Sequence, residues 1–356
     1  MAHLFEPLKL RSLELPHRIV VSPMCQYSCK DGFATDWHFV HLGSRAVGRA
    51  AAVIAEATAV TADGRISPQD LGIWTDAHVE PLARVFSFIA EQNSIPGMQL
   101  AHAGRKASTN QPWNGGKPIS PAEGGWTPIF APSALPFADG YQTPRALSGT
   151  EIAEIVQAFA AAACRANAAG ARLIELHSAH GYLLHSFLSP LSNQRTDQYG
   201  GPFENRIRIV CEVTAAVRKV WPEKYPLWMR ISATDWVEGG WTVEESVELA
   251  RNLHPMGVDL FDCSSGGNVP HAKIPVGPGY QVAFAEQVRR GAGVLTGAVG
   301  MITDAAQADQ IVRSGQSDVV ILARQFLREP YWPLLAARAL GHDIQWPVQY
   351  ERAKKF

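Results

Sequence analysis

Two histidines and a tyrosine follow an apolar run near the middle of the chain. Residues 173–182 read LIELHSAHGY, so that His177, His180 and Tyr182 come directly after a segment with the composition of a buried strand. Imidazoles and phenols form hydrogen bonds, and the end of a strand is a rigid support for them. Two kinds of chemistry fit this spacing: a His-x-x-His metal site, or two N–H donors that hold an oxyanion while Tyr182 supplies a proton.

The metal interpretation is the weaker of the two. A catalytic zinc needs a third ligand and usually a nearby carboxylate. Glu175 is expected to point away from His177 along the strand, and the other strand ends offer only His102. The oxyanion interpretation is therefore favoured, with a metal site or two histidines satisfied within the core as the alternatives.

Eight short apolar segments that alternate with helical patterns predict the elements that position these side chains. The predicted strands are 18–23, 51–58, 97–102, 172–177, 227–232, 259–264, 293–296 and 319–323. Strands that alternate with helices form parallel sheets, and eight of them favour a closed barrel over an open doubly wound sheet. The predicted fold is α/β, a single (β/α)8 (TIM) barrel domain spanning residues 1–356.

Capping signals predict several of the helices. The predicted ranges are 76–92, 148–169, 242–256, 303–314 and 330–340. Asp76 is the expected N-cap of the first, and Ser148 and Thr242 begin capping boxes in the second and third. Residues 112–144 follow neither period and are rich in Gly, Pro and Trp. They predict an excursion over one barrel face after the third strand, with room for a hairpin.

Composition and charge argue against several kinds of binding partner and cellular location. The 356 residues are 46% hydrophobic and carry a net charge of -1, which gives no electrostatic case for a nucleic-acid or membrane partner. The N-terminus has no secretory pattern, and the longest apolar runs fall short of the ~18 residues of a membrane helix. Five scattered cysteines indicate reduced thiols and a cytoplasmic protein.

Further polar residues are predicted at the carboxyl ends of the strands, where barrel enzymes form their sites. Gly300 and Arg324 follow the last two strands and suit a phosphate; the alternative is a turn glycine and a surface arginine. Arg230 lies inside an apolar strand and needs a negative partner, either a structural carboxylate or a charge that forms on a cofactor. Cys25, after the first strand, is either a nucleophile or a thiol that tunes a cofactor.

Several segments together resemble the old yellow enzyme family of FMN-dependent ene-reductases, in particular its thermophilic-like branch and the xenobiotic reductases. They are residues 22–27 (SPMCQY), 99–106 (QLAHAGRK), 175–184 (ELHSAHGYLL), 193–206 (NQRTDQYGGPFENR), 298–303 (AVGMIT) and the segment around Arg324. The fourth segment is the most specific to the family.

The resemblance implies one non-covalent FMN in the barrel mouth. The residues carried over to the flavin are Ser22, Pro23, Met24, Cys25, Ala57, Gln99 and Arg230, and those carried over to its phosphate are Gly300, Ala323 and Arg324. Gln99 is then expected at the pyrimidine edge and Arg230 at the N1–C2=O region. Ala323 stands where the family usually has glycine.

The resemblance also implies a reaction. NADPH or NADH gives a hydride to flavin N5, which passes it to the β-carbon of an enone or nitroalkene. His177 and His180 hold the substrate oxygen, Tyr182 protonates the α-carbon, and Tyr27 reaches the substrate. The alternatives are another FMN-barrel oxidoreductase, a flavin-binding protein without catalysis, and a metal-dependent hydrolase.

The C-terminal tail carries the last expectation. Residues 347–352 (PVQYER) match the same branch, in which a tail arginine enters the active site of the neighbouring subunit. The resemblance thus implies that the tail 341–356 lies at a subunit interface and that Arg352 contacts substrate in the partner. It further implies a homodimer or a dimer of dimers.

Overall fold

The strands are numbered in chain order in the computed structural model, which describes residues 3–354. They are β1 (Leu8–Leu10), β2 (Leu13–Leu15), β3 (Ile19–Val21), β4 (Ala52–Ala59), β5 (Ile95–Ala101), β6 (Phe130–Ala131), β7 (Arg145–Ala146), β8 (Leu173–Ser178), β9 (Leu227–Ser232), β10 (Leu260–Ser264), β11 (Leu295–Ala298) and β12 (Val319–Leu322). Eight of them form one closed parallel barrel in the order β3-β4-β5-β8-β9-β10-β11-β12, and β12 pairs with β3 to close it. The predicted (β/α)8 barrel is confirmed.

The helices lie between the barrel strands. They are α1 (Asp36–Val47), α2 (Val79–Glu91), α3 (Gly149–Ala168), α4 (Leu183–Leu188), α5 (Phe203–Arg206), α6 (Arg208–Val220), α7 (Val243–Leu253), α8 (Val282–Ala292), α9 (Ala305–Arg313), α10 (Arg324–Arg328) and α11 (Trp332–Ala339). Within residues 3–354, none of them is long and apolar enough to cross a membrane.

The helix starts test the capping predictions. Ser148 and Thr242 cap α3 and α7 as predicted, each accepting a hydrogen bond from the backbone N–H three residues on. Asp76 is not an N-cap: Thr75 occupies that position at the start of a 3-10 turn that leads into α2. The helix predicted from residue 303 is capped by Asp304, whose carboxylate accepts two backbone N–H groups. The signal at Asp76 therefore identified the correct turn, but the N-cap lies one residue earlier, at Thr75.

The lower half of the barrel is filled by apolar side chains. Alternate residues point inward, and this layer consists of Val20, Ala52, Ile54, Leu173, Trp228, Leu260 and Ile321. The antiparallel pair β1–β2 closes the barrel floor with Leu10 and Leu15. Trp228 is fully buried, and each such side chain contributes about 1.5–3 kcal/mol to folding. The dry floor leaves the opposite end of the barrel for polar chemistry.

A polar layer lies above this floor, and it corrects one sequence expectation. Glu175 and His177 are two residues apart on β8 and therefore share a face, both pointing into the barrel above Leu173. The expectation that Glu175 points away from His177 was wrong, because side chains alternate with a period of two. Glu175 is instead bonded by Gln99 of the neighbouring strand at 2.7 Å.

The excursion after the third barrel strand is present, and the two strands β6 and β7 that pair in this part of the described chain do not form a hairpin. Residues 112–144 carry short 3-10 turns and the strand β6, which pairs in parallel with β7. Parallel pairing cannot be made by a tight turn, and 13 residues separate the two strands. The backbone N–H groups of Arg145 and Leu147 complete this pair by donating to Ile129 and Ala131.

Two glycines offer a test of packing between α1 and the turn before α11. A Cβ on Gly48 would lie 2.1 Å from the carbonyl oxygen of Pro330, whereas a Cβ on Gly149 has nothing within 4 Å. We expect Gly48→Ala to lower the free energy of unfolding by about 1–3 kcal/mol through overpacking. Gly149→Ala, the control, should leave it unchanged or slightly higher. Thermal unfolding of both variants measures the difference, and equal midpoints would contradict the close approach.

Candidate active site

The imidazoles of His177 and His180 lie together at the barrel mouth, with ring centroids 5.2 Å apart. The Nδ1 of His177 accepts the backbone N–H of Ala179, so the proton is on Nε2. The Nε2 of His180 lies 2.7 Å from the hydroxyl of Ser264. That hydroxyl is 3.4 Å from Gln281, which already accepts from Ser265 at 2.7 Å. The side-chain oxygen of Gln281 can accept from both hydroxyls, so the tautomer of His180 sets the direction of its bond with Ser264. With the proton on Nδ1, His180 accepts from Ser264 and keeps its N–H for a ligand.

Both imidazoles are neutral at physiological pH. Burial lowers the pKa of His177 and of His180 well below the usual value, and the positive charge of Arg230 lowers it further. A neutral imidazole with one ring nitrogen fixed as an acceptor presents one N–H donor from the other nitrogen. The pair can therefore donate two hydrogen bonds to one oxygen without carrying charge.

Tyr182 lies against the same imidazoles. Its ring contacts His177 edge-on at 5.0 Å, and burial raises the pKa of its phenol well above the usual value. The Nζ of Lys106 lies over the ring at 5.2 Å and donates to the carbonyls of His180 and Gly267. Burial lowers the pKa of Lys106 to about 8. Tyr182 is thus a protonated acid with a cation near its ring.

A buried pair under the turn holds these groups in place. His180 has a left-handed backbone with φ of 59°, and Gly181 follows with φ of 73°, where a Cβ would lie 2.4 Å from the carbonyl of Gly267. The N–H of Gly181 donates to Nδ1 of His185, whose Nε2 faces Asp235 at 3.1 Å. His185 and Asp235 are fully buried, so the turn is anchored from the protein interior.

The segment after the first barrel strand is anchored by a second buried pair. Glu56 accepts the backbone N–H of Gln26 at 2.8 Å and faces Nε2 of His38 at 3.1 Å. His38 accepts the N–H of Thr35 on Nδ1, so the proton of its imidazole lies on Nε2, between Glu56 and the sulfur of Cys29. Gln26 lies between Cys25 and Tyr27, and the pair therefore sets the position of both side chains.

Cys25 is a thiol rather than a thiolate at this site. Burial raises its pKa well above the usual value, and the carboxylates of Asp70 and Glu56 raise it further, while a hydrogen bond with Tyr27 opposes them. A nucleophilic cysteine needs a depressed pKa. The environment therefore favours a thiol that contacts a cofactor over one that attacks a substrate.

Arg230 shows that the mouth fits an electron-rich cofactor. Its guanidinium is 6% exposed, donates to the hydroxyl of Ser22 at 3.1 Å, and faces Asp262 at 3.2 Å. The Nε has no aligned acceptor. A guanidinium has five N–H donors, so most of them remain for an acceptor on a bound molecule. Gln99, 2% exposed, lies in the same layer.

The predicted phosphate residues lie at the ends of β11 and β12. Gly300 has φ of 120°, which side chains rarely adopt, and its carbonyl accepts the N–H of Gly279 at 3.0 Å. Ala323 precedes α10 with φ of -105° and ψ of -93°, an angle pair outside the α and β regions that residues with a Cβ favour. Arg324 is exposed and lies near Tyr280. Burial raises the pKa of the Tyr280 phenol, and the positive charges of Arg324 and Arg230 oppose this rise. These residues leave a charged, open corner at this side of the mouth.

Arg352 lies apart from these groups within its own chain. It is exposed on a 3-10 helix, Val348–Ala353, and the neighbouring Tyr350 packs against Tyr331 at 5.9 Å. Lys355, which follows Lys354 in the tail, lies outside the described residues. The predicted role of Arg352 depends on a second subunit.

Sequence reasoning missed the residues that support this site. The predicted strands placed three of them at or just after a strand end, namely Asp262, Ser264 and Lys106. Nothing in the sequence shows which partner each of these side chains contacts. His185 and Asp235 are 50 residues apart and carried no signal. Within residues 3–354, no three His, Cys, Asp or Glu residues form a group that could hold a metal ion, and all five cysteines are free.

Fold and site together define a class of protein. A closed barrel whose mouth holds a buried guanidinium, two neutral imidazoles and a protonated phenol is the arrangement of a cofactor-dependent barrel enzyme. Residues 3–342 match the NADH:flavin oxidoreductase / NADH oxidase family. The chain belongs to this family, as predicted, and is an FMN-dependent oxidoreductase that uses a nicotinamide coenzyme.

Individual relatives agree with this assignment. The chain is 49% identical over 355 residues to an NADPH dehydrogenase of Geobacillus sp. (strain WCH70), and the match covers 99% of each. The solved structure of morphinone reductase is similar with a TM-score of 0.78 and 29% identity, covering 97% of this chain and 91% of that one. An old yellow enzyme homologue from Zymomonas mobilis shares the fold, with a TM-score of 0.79 at 23% identity over 98% of this chain and 95% of that one.

The buried anchor under the histidine turn can be tested by stability. Burial raises the pKa of Asp235, but the contact with His185 and the bond from Ser189 outweigh it and lower the pKa to about 2. Asp235→Asn would turn an amide NH2 toward these donors, and we expect a loss of about 3–5 kcal/mol in the free energy of unfolding. Asp36→Asn is the control, because Asp36 is 87% exposed beside Arg84 and its loss should matter little. Urea unfolding measures both, and equal effects would contradict the anchor.

Proposed function

We propose that the enzyme reduces the C=C bond of α,β-unsaturated carbonyl or nitro compounds. The observation that carries this proposal is the meeting of two neutral N–H donors, on His177 and His180, with the protonated phenol of Tyr182 at one turn. Alkene reduction next to a carbonyl needs both: a site for the oxygen on which negative charge develops, and an acid for the adjacent carbon.

The chain's own residues divide the work as follows. The imidazoles hold the carbonyl or nitro oxygen and stabilise it as it gains charge. Tyr182 gives its proton to the α-carbon, and Lys106, above the ring, stabilises the phenolate that remains. Tyr27, placed by the Glu56 contact on Gln26, faces the substrate. FMN, when bound, supplies the hydride chemistry between the nicotinamide and the alkene.

The FMN is proposed to bind without a covalent bond. Its flavin would be held by Ser22, Pro23, Met24, Cys25, Ala57, Gln99 and Arg230. Its phosphate would be held by Gly300, Ala323 and Arg324. Support comes from the spare donors of Arg230 and from the charged corner at Arg324. Because Cys25 stays protonated, its sulfur is proposed to tune the flavin rather than to react.

A homodimer, or a dimer of dimers, is proposed as the working assembly. Large apolar side chains are exposed on α1, on α10–α11 and on the tail, namely Trp37, Val40, Leu327, Leu335, Val348 and Tyr350. A second copy would cover such a surface and would bring the tail 341–356, with Arg352, to the mouth of the partner. A cytoplasmic location is proposed from the five free thiols.

The Tyr182→Phe variant tests the function. We expect NADPH to bleach the visible flavin absorption at the normal rate, because that half-reaction does not need the phenol. Reoxidation by cyclohexenone should slow by about 10²–10⁴-fold, the usual contribution of a general acid. Stopped-flow absorbance without oxygen separates the two steps. Tyr199→Phe is the control, since that phenol contacts Glu212 on α6 instead of the mouth. Equal slowing of both half-reactions in Tyr182→Phe would contradict the acid role.

Removal of the tail tests the assembly. We expect deletion of residues 349–356 to dissociate the assembly, so that light scattering gives the mass of a smaller oligomer. We also expect the deletion to raise the KM for cyclohexenone. Arg352→Ala should raise the KM while leaving the mass unchanged, because it removes only the partner's contact with substrate. Lys219→Ala, an exposed cation near the end of α6, is the control. Wild-type mass and KM in the deletion would argue against both roles of the tail.

A further inference from the structure

Four buried polar side chains form a continuous layer inside the barrel, just above its apolar floor. Gln99, Glu175, Arg230 and Asp262 come from β5, β8, β9 and β10, and each is at most 6% exposed. Gln99 is level with Glu175 across one strand pair, and Arg230 is level with Asp262 across another. We call these four residues the polar layer.

The two carboxyl groups of the polar layer face each other. Glu175 and Asp262 lie within hydrogen-bonding reach of one another. Yet Oε2 of Glu175 and both carboxyl oxygens of Asp262 have no aligned donor from any other group among the described residues. Two buried carboxylates would each present only acceptors, and nothing would separate their charges. One proton between them supplies the missing donor.

The surroundings decide which carboxyl carries that proton. Asp262 lies 3.2 Å from the guanidinium of Arg230, which favours the carboxylate there. Glu175 receives the neutral amide of Gln99 on Oε1 at 2.7 Å, which leaves Oε2 free to carry a proton toward Asp262. Burial, with the negative charge of Asp262, raises the pKa of Glu175 to about 8. Burial also raises the pKa of Asp262, but Arg230 and the bond from Glu175 oppose it.

We propose that Glu175 is a protonated positioning residue that donates to Asp262 and thereby keeps a single carboxylate against Arg230. The polar layer then holds one positive and one negative charge. With Glu175 ionised it would hold an excess negative charge directly beneath the group that Arg230 faces. This inference rests on the proposed placement of the FMN pyrimidine edge at Arg230 and Gln99.

The consequence concerns the reduction potential of the bound flavin. A flavin gains negative charge on reduction, and a buried negative charge below it would oppose that change. A proton on Glu175 removes this opposition without breaking the ion pair that keeps Arg230 in place. The other ionisable groups facing the layer do not replace this effect, because His177, next above Glu175 on β8, is neutral. Ser22, which directly follows β3 and accepts a hydrogen bond from Arg230, carries no charge.

The proton itself can be tested without FMN. We expect the apo-protein at pH 7 to show the infrared C=O stretch of a protonated carboxyl that is lost in Glu175→Gln. Glu212→Gln, on α6 outside the barrel, is the control and should leave that band in place. If Glu175→Gln removed no such band, the proposal would be overturned, whatever the position of the cofactor.

Stability gives an independent measure on the same apo-proteins. A carboxyl whose pKa rises from 4.5 to about 8 on folding binds a proton in the folded state that the unfolded chain has lost. Its contribution is therefore complete below pH 4.5 and is lost as the pH rises to 8. The free energy of unfolding of the wild type should fall relative to Glu175→Gln over this interval. A constant difference between the two would contradict the proposal.

The midpoint potential of bound FMN tests the effect on the cofactor. Glu175→Gln replaces a neutral donor by a neutral donor, so the potential should stay at the wild-type value. The double variant E175Q/D262N leaves Arg230 without a carboxylate, and the potential should rise. A higher potential in Glu175→Gln alone would show that an ionised Glu175 had been lost and would overturn the proposal. With the infrared and stability results as expected, an unchanged potential in the double variant would instead contradict the placement of FMN at Arg230.

Discussion

The buried guanidinium of Arg230 is the constraint on which the rest of the mouth depends. A cation that is 6% exposed inside a barrel is very costly unless its donors are matched. Asp262 on the adjacent strand supplies one counter-charge and Ser22 supplies one acceptor. The donors that remain are directed by these two contacts, so the position of any bound acceptor is set before it arrives. Burial lowers the pKa of both nearby imidazoles, and the same charge lowers it further and so helps to keep them neutral.

Buried polar pairs below the mouth hold it in place, in addition to contacts of the loops with one another such as that of Lys106 with the carbonyl of His180. His185 with Asp235 anchors the turn of His180 and Tyr182, and Glu56 anchors Gln26. Both anchors end on backbone N–H groups next to residues with left-handed backbone, His180 and Tyr27. Such conformations cost about 1–3 kcal/mol each and persist only when the surroundings enforce them. The cost is concentrated at the positions whose side chains are proposed to face the ligands.

Sequence patterns were sufficient for the barrel and for the polar residues at its strand ends, but not for the partners that those residues contact. The eight apolar runs and the boxes at Ser148 and Thr242 are local signals, and they were correct. Asp262 pairs with Arg230 across two strands, 32 residues apart in the chain, and no local pattern encodes that register. His38 completes the capping box of α1 at the third helical position. Glutamate or glutamine is the usual residue there, and the sequence analysis therefore did not predict α1. The side of β8 on which Glu175 lies was predicted wrongly, although a period of two fixes it.

The neutral imidazoles at the barrel mouth affect which ligands the proposed site would bind tightly. A charged imidazolium pair would bind any small anion tightly, and the substrate oxygen, uncharged in the ground state, would compete poorly. Because burial, with the charges of Arg230 and Lys106, keeps His177 and His180 neutral, their two N–H groups would interact only modestly with the carbonyl of the proposed substrate. They interact more strongly once negative charge develops on that oxygen. Binding energy is then realised in the transition state rather than in the ground state, which is the condition for acceleration. In the tautomer in which His180 accepts from Ser264 on Nε2, the proton lies on Nδ1 and the second donor is available without an added charge.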